Sequence, residues 1–277
     1  MSENVIEIKN LSFTYPAGVE ALKDINLEIK KGEIVAIIGQ NGSGKTTLVK
    51  HFNGLLQPTS GTVIINGKDA KQSTTAQLSR EVGYVFQDPD DQLFMSKVKD
   101  EIAFGPKNLK MKKNEVNKRV RDTLKLVKLW KFRNTHPLDL NLDDKKLIAI
   151  ASIIAMNPHV IILDEPTSGQ DHRGILRAES LIKKLSKEHT IIIISHDMDL
   201  VSKIAQRVIV MYNSKILMTG TPKEVFIKTS LLAKTHLKPP LITQLSQKTK
   251  GMRSDILSID EFIEELKTKK PHSSKSR

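Results

Sequence analysis

The 277-residue sequence contains no cysteine. That absence excludes a disulfide framework and any thiolate metal site, and it fits a reducing compartment. Aromatic residues are scarce, at 4 %. Few rings are available to stack the bases of an unpaired nucleic-acid strand, which weakens that reading. Long hydrophobic runs are also missing. The longest apolar stretch, Leu147 to Met156, is broken by Ser152 and is too short to span a bilayer. Met1-Ser2-Glu3-Asn4 carries acidic charge and no apolar core of signal-peptide length. A soluble or peripheral protein on the cytoplasmic side is expected. Acids are in deficit, 31 against 44 Lys and Arg, which leaves a net charge of +13. Between Lys97 and Arg133 the ratio is 13 basic residues to 4 acidic. Such an excess suits a phosphate-rich partner, either nucleic acid or an anionic membrane surface, or it is a solvated basic surface.

What is present points to a folded domain. Hydrophobic residues make up 39 %, enough for a real core, and the length suits one large domain with small appendages. No internal repeat is visible. Residues 4 to 30 alternate, as in Val5-Ile6-Glu7-Ile8 and Ile25-Asn26-Leu27-Glu28-Ile29. Alternation predicts an antiparallel β region with one wet face. Ile34-Val35-Ala36-Ile37-Ile38 is wholly apolar, as are Val160-Ile161-Ile162-Leu163 and Ile191-Ile192-Ile193-Ile194. These runs predict strands of a buried, mostly parallel sheet. About 88–158 reads as a helical insert. It holds one helix over Lys107 to Lys131, with Val116, Val120, Leu124, Val127 and Leu129 inward. A second helix runs from Leu147 to Met156 and stops at Asn157-Pro158. The expected class is therefore α/β, with residues 1–220 as the main domain. Residues 221–277 form a small extension, with a break at Lys238-Pro239-Pro240 and an amphipathic helix over Ile259 to Leu266. Pro271 to Arg277 is expected to be disordered.

The first buried run leads into Gly39-Gln40-Asn41-Gly42-Ser43-Gly44-Lys45-Thr46, followed by a helix predicted over Thr47 to Leu56. Glycines let backbone N–H groups turn inward around phosphate oxygens, and the helix N-terminus adds partial positive charge. Lys45 is placed for the β- and γ-phosphates and the Thr46 hydroxyl for Mg²⁺. The second run ends in Asp164-Glu165. Asp164 is placed to hold Mg²⁺ through water, and Glu165 to act as general base or to orient water toward a γ-phosphate. The third run ends in Ser195-His196-Asp197. A histidine at a strand end is often a cap. On the same sheet edge as Lys45 and Glu165, His196 reads better as a γ-phosphate contact.

Phosphate loop, Gln87, helical insert, Asp164-Glu165 and His196, in that order, resemble the ATPase subunits of ATP-binding-cassette transporters over about residues 4–220. Val85-Phe86-Gln87-Asp88-Pro89-Asp90-Asp91-Gln92-Leu93-Phe94, followed by Glu101-Ile102-Ala103-Phe104-Gly105-Pro106, is similar to the energy-coupling-factor and cobalt/nickel-uptake branch. The resemblance implies a P-loop NTPase core that binds ATP and Mg²⁺ through residues 39–47. Tyr15 would stack on adenine, and Gln87 would link Mg²⁺ and the attacking water to a transmembrane coupling subunit. Asp171 would lie at the contact with a second ATPase, and the tail would help to pair the two. A substrate-binding membrane subunit completes the expected complex, at the cytoplasmic face of the membrane. The work would be import of a metal ion or vitamin. Two alternatives stand beside it: a soluble ATPase acting on nucleic acid or the ribosome, and a nucleotide-binding regulatory partner with weak hydrolysis. No nucleic-acid partner is expected in the leading reading.

One segment departs from the family pattern. Its signature, Leu-Ser-Gly-Gly-Gln, is replaced by Leu140-Asn141-Leu142-Asp143-Asp144. The signature binds the partner's γ-phosphate through a helix N-terminus, a hydroxyl and close-approaching glycines. Leu142 and Asp143 add bulk there, and Asp143 and Asp144 add negative charge. At ~5 Å and an effective dielectric of ~20, each acid costs roughly 3 kcal/mol against a phosphate. Asn141 is a good N-cap, so the helix start supplies its own anions. Two identical copies would give two compromised sites, and a heterodimer with a related ATPase is expected.

Overall fold

The computed structural model describes residues 3–268. The segment expected to be disordered, 271–277, lies outside the described residues.

Two long alternating strands, β1 (Asn4–Thr14) and β2 (Glu20–Lys30), pair antiparallel as expected. With β4 (Ser60–Ile65) and β5 (Lys68–Asp69) they form a four-stranded sheet in the order β2-β1-β4-β5. The second sheet is built from β3 (Ile34–Ile38), β6 (Val82–Val85), β7 (Val160–Asp164), β8 (Thr190–Ile194), β9 (Arg207–Tyr212) and β10 (Lys215–Gly220). Its order is β10-β9-β3-β8-β7-β6, parallel throughout except for β10 against β9. The three apolar runs are its central strands, fully buried because elements cover both faces.

Alternate residues of those strands feed different cores. Val35, Ile37, Ile162 and Ile192 pack with the antiparallel sheet and with α1 (Lys45–Phe52). Ile161, Leu163, Ile191 and Ile193 pack with α3 (Val98–Asn108), α4 (Lys113–Leu126), α5 (Leu142–Ile154) and α6 (His172–Leu185). Ala36, Ile38, Val208 and Val210 pack with α7 (Met198–Ile204), α8 (Pro222–Phe226) and α9 (Thr229–Lys234). The remaining helices are α2 (Thr75–Glu81), α10 (Leu241–Lys248) and α11 (Ile259–Thr268), the last matching the amphipathic helix expected there.

Several boundaries differ from the sequence reading. Helix α1 begins at Lys45, not Thr47, because Gly44 takes the left-handed conformation (φ 101°) and lets the helix start there. It ends at Phe52, where Asn53 caps it and Gly54 turns at φ 72°. The single helix expected over Lys107 to Lys131 is two, because the chain reverses after α3 with Lys110 at φ 58°. Val127 and Leu129 are buried as expected, but beyond the end of α4. Helix α5 starts at Leu142, ahead of the apolar stretch from Leu147 and next to the cap expected at Asn141, whose side chain accepts the Asp144 N–H at 2.9 Å. Among the described residues, no helix is long and apolar enough to cross a membrane.

Candidate active site

The strands β3, β7 and β8 end level with one another, with Ile37 and Asp164 both in register with Ile194. Their C-terminal ends deliver Gly39, Glu165 and His196 to one sheet edge, where open α/β sheets bind ligands. Asn41 to Thr47, Gln87, Asp164, Glu165, Ser168 and His196 line a single cavity of about 540 Å³.

Glycine is required at two positions of the loop. A Cβ on Gly44 would lie 2.5 Å from the Ala21 carbonyl oxygen, at a φ of +101°. A Cβ on Gly39 would collide with the Met211 carbonyl, at φ +155°. Lys45 is buried and curls over the loop, donating to the Gly39 and Gln40 carbonyls at 2.7 and 2.9 Å. Burial lowers its pKa, and Glu165 and Asp164 oppose that shift. Ser43 Oγ is buried without a hydrogen-bond partner among the described residues. The cradle thus offers inward backbone, a hydroxyl and a cation, which is what phosphate oxygens need. Tyr15 is half-buried against the same helix, its hydroxyl 3.1 Å from Thr47 Oγ1.

Thr46 Oγ1 lies 3.4 Å from Asp164 Oδ2. Together they form a hydroxyl–carboxylate pair of hard oxygen donors. No cluster of three His, Cys, Asp or Glu side chains able to hold a metal occurs among the described residues. Such sparse protein ligation fits Mg²⁺, which keeps several waters and shares phosphate oxygens. Gln87 is exposed and lines the same cavity.

Glu165 follows β7 with φ 48°, a left-handed conformation strained for a residue with a side chain. It is buried at 8 % exposure. Oε2 accepts the His196 N–H at 3.2 Å, and Oε1 lies 3.5 Å from His196 Nε2. Burial raises the Glu165 pKa, partly offset by the His196 N–H. A carboxylate raised in this way is a better proton acceptor. Burial and Lys45 lower the pKa of His196. Both effects favour the neutral imidazole beside Glu165.

Sequence reasoning missed two residues here. Tyr84, on β6, donates to Asp164 Oδ2 at 2.6 Å, and burial and that bond hold its phenol well above the usual tyrosine range. The signal was Val82-Gly83-Tyr84-Val85, an apolar run too short to stand out. Lys146 donates to the Glu165 carbonyl at 2.9 Å from a buried position, and pins the strained turn from α5. Its signal was a basic residue at the start of an apolar helix.

The degenerate segment, Leu140 to Asp144, leads into the start of α5, and Leu142 lines a cavity with Thr46, Gln87, Lys146 and Asp164. Leu140 is buried, Leu142 is 40 % exposed, and Asp144 is 7 % exposed. Asp144 accepts from Arg177 at 2.8 Å, and from the Asn141 amide at 3.4 Å. Arg177 thus pairs with Asp144, a neighbour that the sequence reading of the two acids did not include. Asp143 also feels the charges of Arg177 and Lys146. Its carboxylate sits over Gly174, and burial and Asp171 raise its pKa. Asp171 is exposed and caps α6 by accepting the Gly174 N–H at 2.7 Å.

The ABC transporter family model matches residues 22–168. The energy-coupling factor transporter ATP-binding protein EcfA of Methanocaldococcus jannaschii is 48 % identical over 87 % of this chain and 88 % of its own length. EcfA1 of Caldanaerobacter subterraneus subsp. tengcongensis is 43 % identical over 94 % of this chain and 98 % of its own. Among solved structures, cbiO1 from Clostridium perfringens, part of the ABC transporter complex cbiONQ, superposes with a TM-score of 0.77. It is 38 % identical and covers 88 % of this chain and 99 % of its own. A dimeric ATP-binding cassette in a post-hydrolysis state, bound to ADP and Pi, gives a TM-score of 0.70 at 28 % identity, over 78 % of this chain and 98 % of its own. The likeness spans the phosphate loop, the Asp164-Glu165 pair and the sheet edge that joins them, and the chain belongs to the ABC transporter ATPases, in their energy-coupling-factor branch.

Proposed function

We propose that this ATPase energises import of a metal ion or vitamin through a transmembrane partner, working at the cytoplasmic face of the membrane. The observation that carries its chemistry is the convergence of Lys45, Thr46, Asp164, Glu165 and His196 on one cavity. The loop at 39–47 holds the ATP phosphates, Lys45 neutralises the β- and γ-phosphates, and Tyr15 stacks on adenine. Thr46 and Asp164, with Gln87, would hold Mg²⁺, which when bound would draw charge from the phosphate oxygens. Glu165 accepts a proton as a water oxygen bonds to the γ-phosphorus. The bond from that phosphorus to the β–γ bridging oxygen breaks, and ADP leaves with that oxygen. Neutral His196 donates toward the γ-phosphate.

Beside Gln87 lies a groove of about 540 Å³ lined by Phe86, Phe94, Phe104 and Met156. Phe94 is 62 % exposed. A large exposed aromatic on a groove wall suits an apolar helix of the membrane partner. Residues 1–220 act as the cassette, and 221–277 as an extension that pairs two ATPases, with Asp171 at their contact. The α5 start carries Leu142 and Asp143 where the family signature has glycines, which favours a heterodimer with an ATPase of intact signature. A substrate-binding membrane subunit supplies selectivity.

The test is ATP turnover by the chain purified with its membrane partner. Glu165→Gln is expected to abolish turnover while ATP still binds. Unchanged turnover in Glu165→Gln, or association with RNA or ribosomes in place of the membrane fraction, would overturn the proposal.

A further inference from the structure

Tyr84 stands between the two cavities that flank β6. Both it and Phe86 line the groove of about 540 Å³, and both line a cavity of about 730 Å³ that also contains Thr46, Gln87 and Asp164. The Tyr84 hydroxyl donates to Asp164 Oδ2 at 2.6 Å. That length is typical of a neutral hydroxyl bonded to an ionised carboxylate, one of the stronger hydrogen bonds in proteins. Both residues are buried, Tyr84 at 9 % and Asp164 at 5 % exposure. Water therefore has little room to take over the bond. Thr46 Oγ1 reaches the same oxygen only at 3.4 Å. The phenol is the tighter of these two restraints on the rotation of the carboxylate.

The ring of Tyr84 is itself held from the groove side. It meets Phe86 edge-on, with centroids 5.1 Å apart and planes at 62°. The Phe86 N–H donates to Gln92 Oε1 at 3.0 Å. Gln92 Nε2 in turn donates to the Ala149 carbonyl at 2.9 Å and to Ser152 Oγ at 3.1 Å, both on α5. A continuous set of contacts thus runs from the groove wall and α5 to Asp164, separate from Gln87.

We propose that Tyr84 is a positioning residue for the Asp164 carboxylate, holding it in the orientation that meets the divalent cation and tying that orientation to the groove wall. The inference rests on the reading of Asp164 as the cation-holding acid. Groups that orient a metal-binding carboxylate from behind typically change metal affinity 10- to 100-fold when removed.

The experiment uses the full chain, Mn²⁺ as the probe and a non-hydrolysable ATP analogue at saturation. Free Mn²⁺ is followed by electron paramagnetic resonance. Tyr84→Phe keeps the ring and removes only the hydroxyl, and a thermal melt confirms folding. Mn²⁺ affinity is expected to fall about tenfold, with analogue binding in the absence of metal changed by less than about twofold. Phe86→Leu leaves the hydroxyl in place but thins the wall behind it. A smaller fall, roughly two- to fivefold, is expected there. Unchanged affinity in Tyr84→Phe overturns the positioning role, and unchanged affinity in Phe86→Leu overturns the tie to the groove. Asp164→Asn separates the two levels. If it too leaves Mn²⁺ affinity unchanged, the assignment of Asp164 fails. If it lowers affinity and Tyr84→Phe does not, only the Tyr84 inference fails.

Discussion

If the start of α5 meets a partner's γ-phosphate as proposed, replacing Leu142 and Asp143 with glycine gives back the two close-approach positions of the family signature, and Coulomb's law bounds the size of the effect. Asp144 stays, because Arg177 already neutralises it at 2.8 Å. The charge removed is Asp143 alone. At ~5 Å from a phosphate charge and an effective dielectric of ~20, it opposes binding by roughly 3 kcal/mol. Salt reduces that figure, because the α5 start is only partly buried. The expected gain is then between about 10- and 100-fold per site. The assay is ATP-driven self-association in a Glu165→Gln background, followed by sedimentation velocity over a protein dilution series. The parent chain is expected to remain monomeric with ATP. The double-glycine chain is expected to dimerise at a protein concentration at least about tenfold lower. If the parent dimerises with ATP as tightly as the variant, the reasoning about Leu142 and Asp143 is wrong. Asp144→Asn serves as the control. It removes a charge that is already paired, and should not promote the dimer.

Glu165→Gln should also change stability with pH. Burial raises the pKa of Glu165 above its ordinary 4.5, so the folded state favours the protonated acid. Its contribution is fully present below about pH 4.5 and is lost as pH rises through the folded value. Melts should therefore show the variant gaining on the parent from pH 4 to pH 8, and a constant difference would contradict the buried-carboxylate account. Gly44→Ala places a Cβ 2.5 Å from the Ala21 carbonyl at φ +101°. Calorimetry should show loss of ATP binding together with destabilisation of about 1–3 kcal/mol. Arg177→Ala leaves a nearly buried Asp144 without its cation. Arg177 is itself 41 % exposed, so the cost is discounted to about 1–2 kcal/mol, read by urea unfolding. The double variant with Asp144→Ala should recover part of that loss, and simple additivity would argue against the pair.

Much of this protein was determined by the sequence alone. Ile34 to Ile38, Val160 to Leu163 and Ile191 to Ile194 are apolar without interruption, and only a strand covered on both faces suits such a run. The phosphate loop and the acids after β7 are local patterns, because each needs only its own strand and turn to be in place. Asn141 was legible as a cap for the same reason. The short strands β4, β5 and β6 were not legible. Four residues such as Val82 to Val85 carry too little periodicity, and the partner of β6 lies far along the chain, while β5 is only two residues long. The ends of α1 and α3 depended on left-handed turns at Gly44, Gly54 and Lys110.

Tertiary structure alone settled the charges. Asp143 and Asp144 look alike as neighbours in the chain, yet Arg177, 33 residues further on, bonds directly to Asp144 and reaches Asp143 only through its charge. Tyr84 touches Asp164 across 80 residues, and Lys146 reaches the Glu165 carbonyl across 19. Electrostatic and hydrogen-bond energies depend on distances through space and on burial, and a sequence supplies neither until the chain has folded.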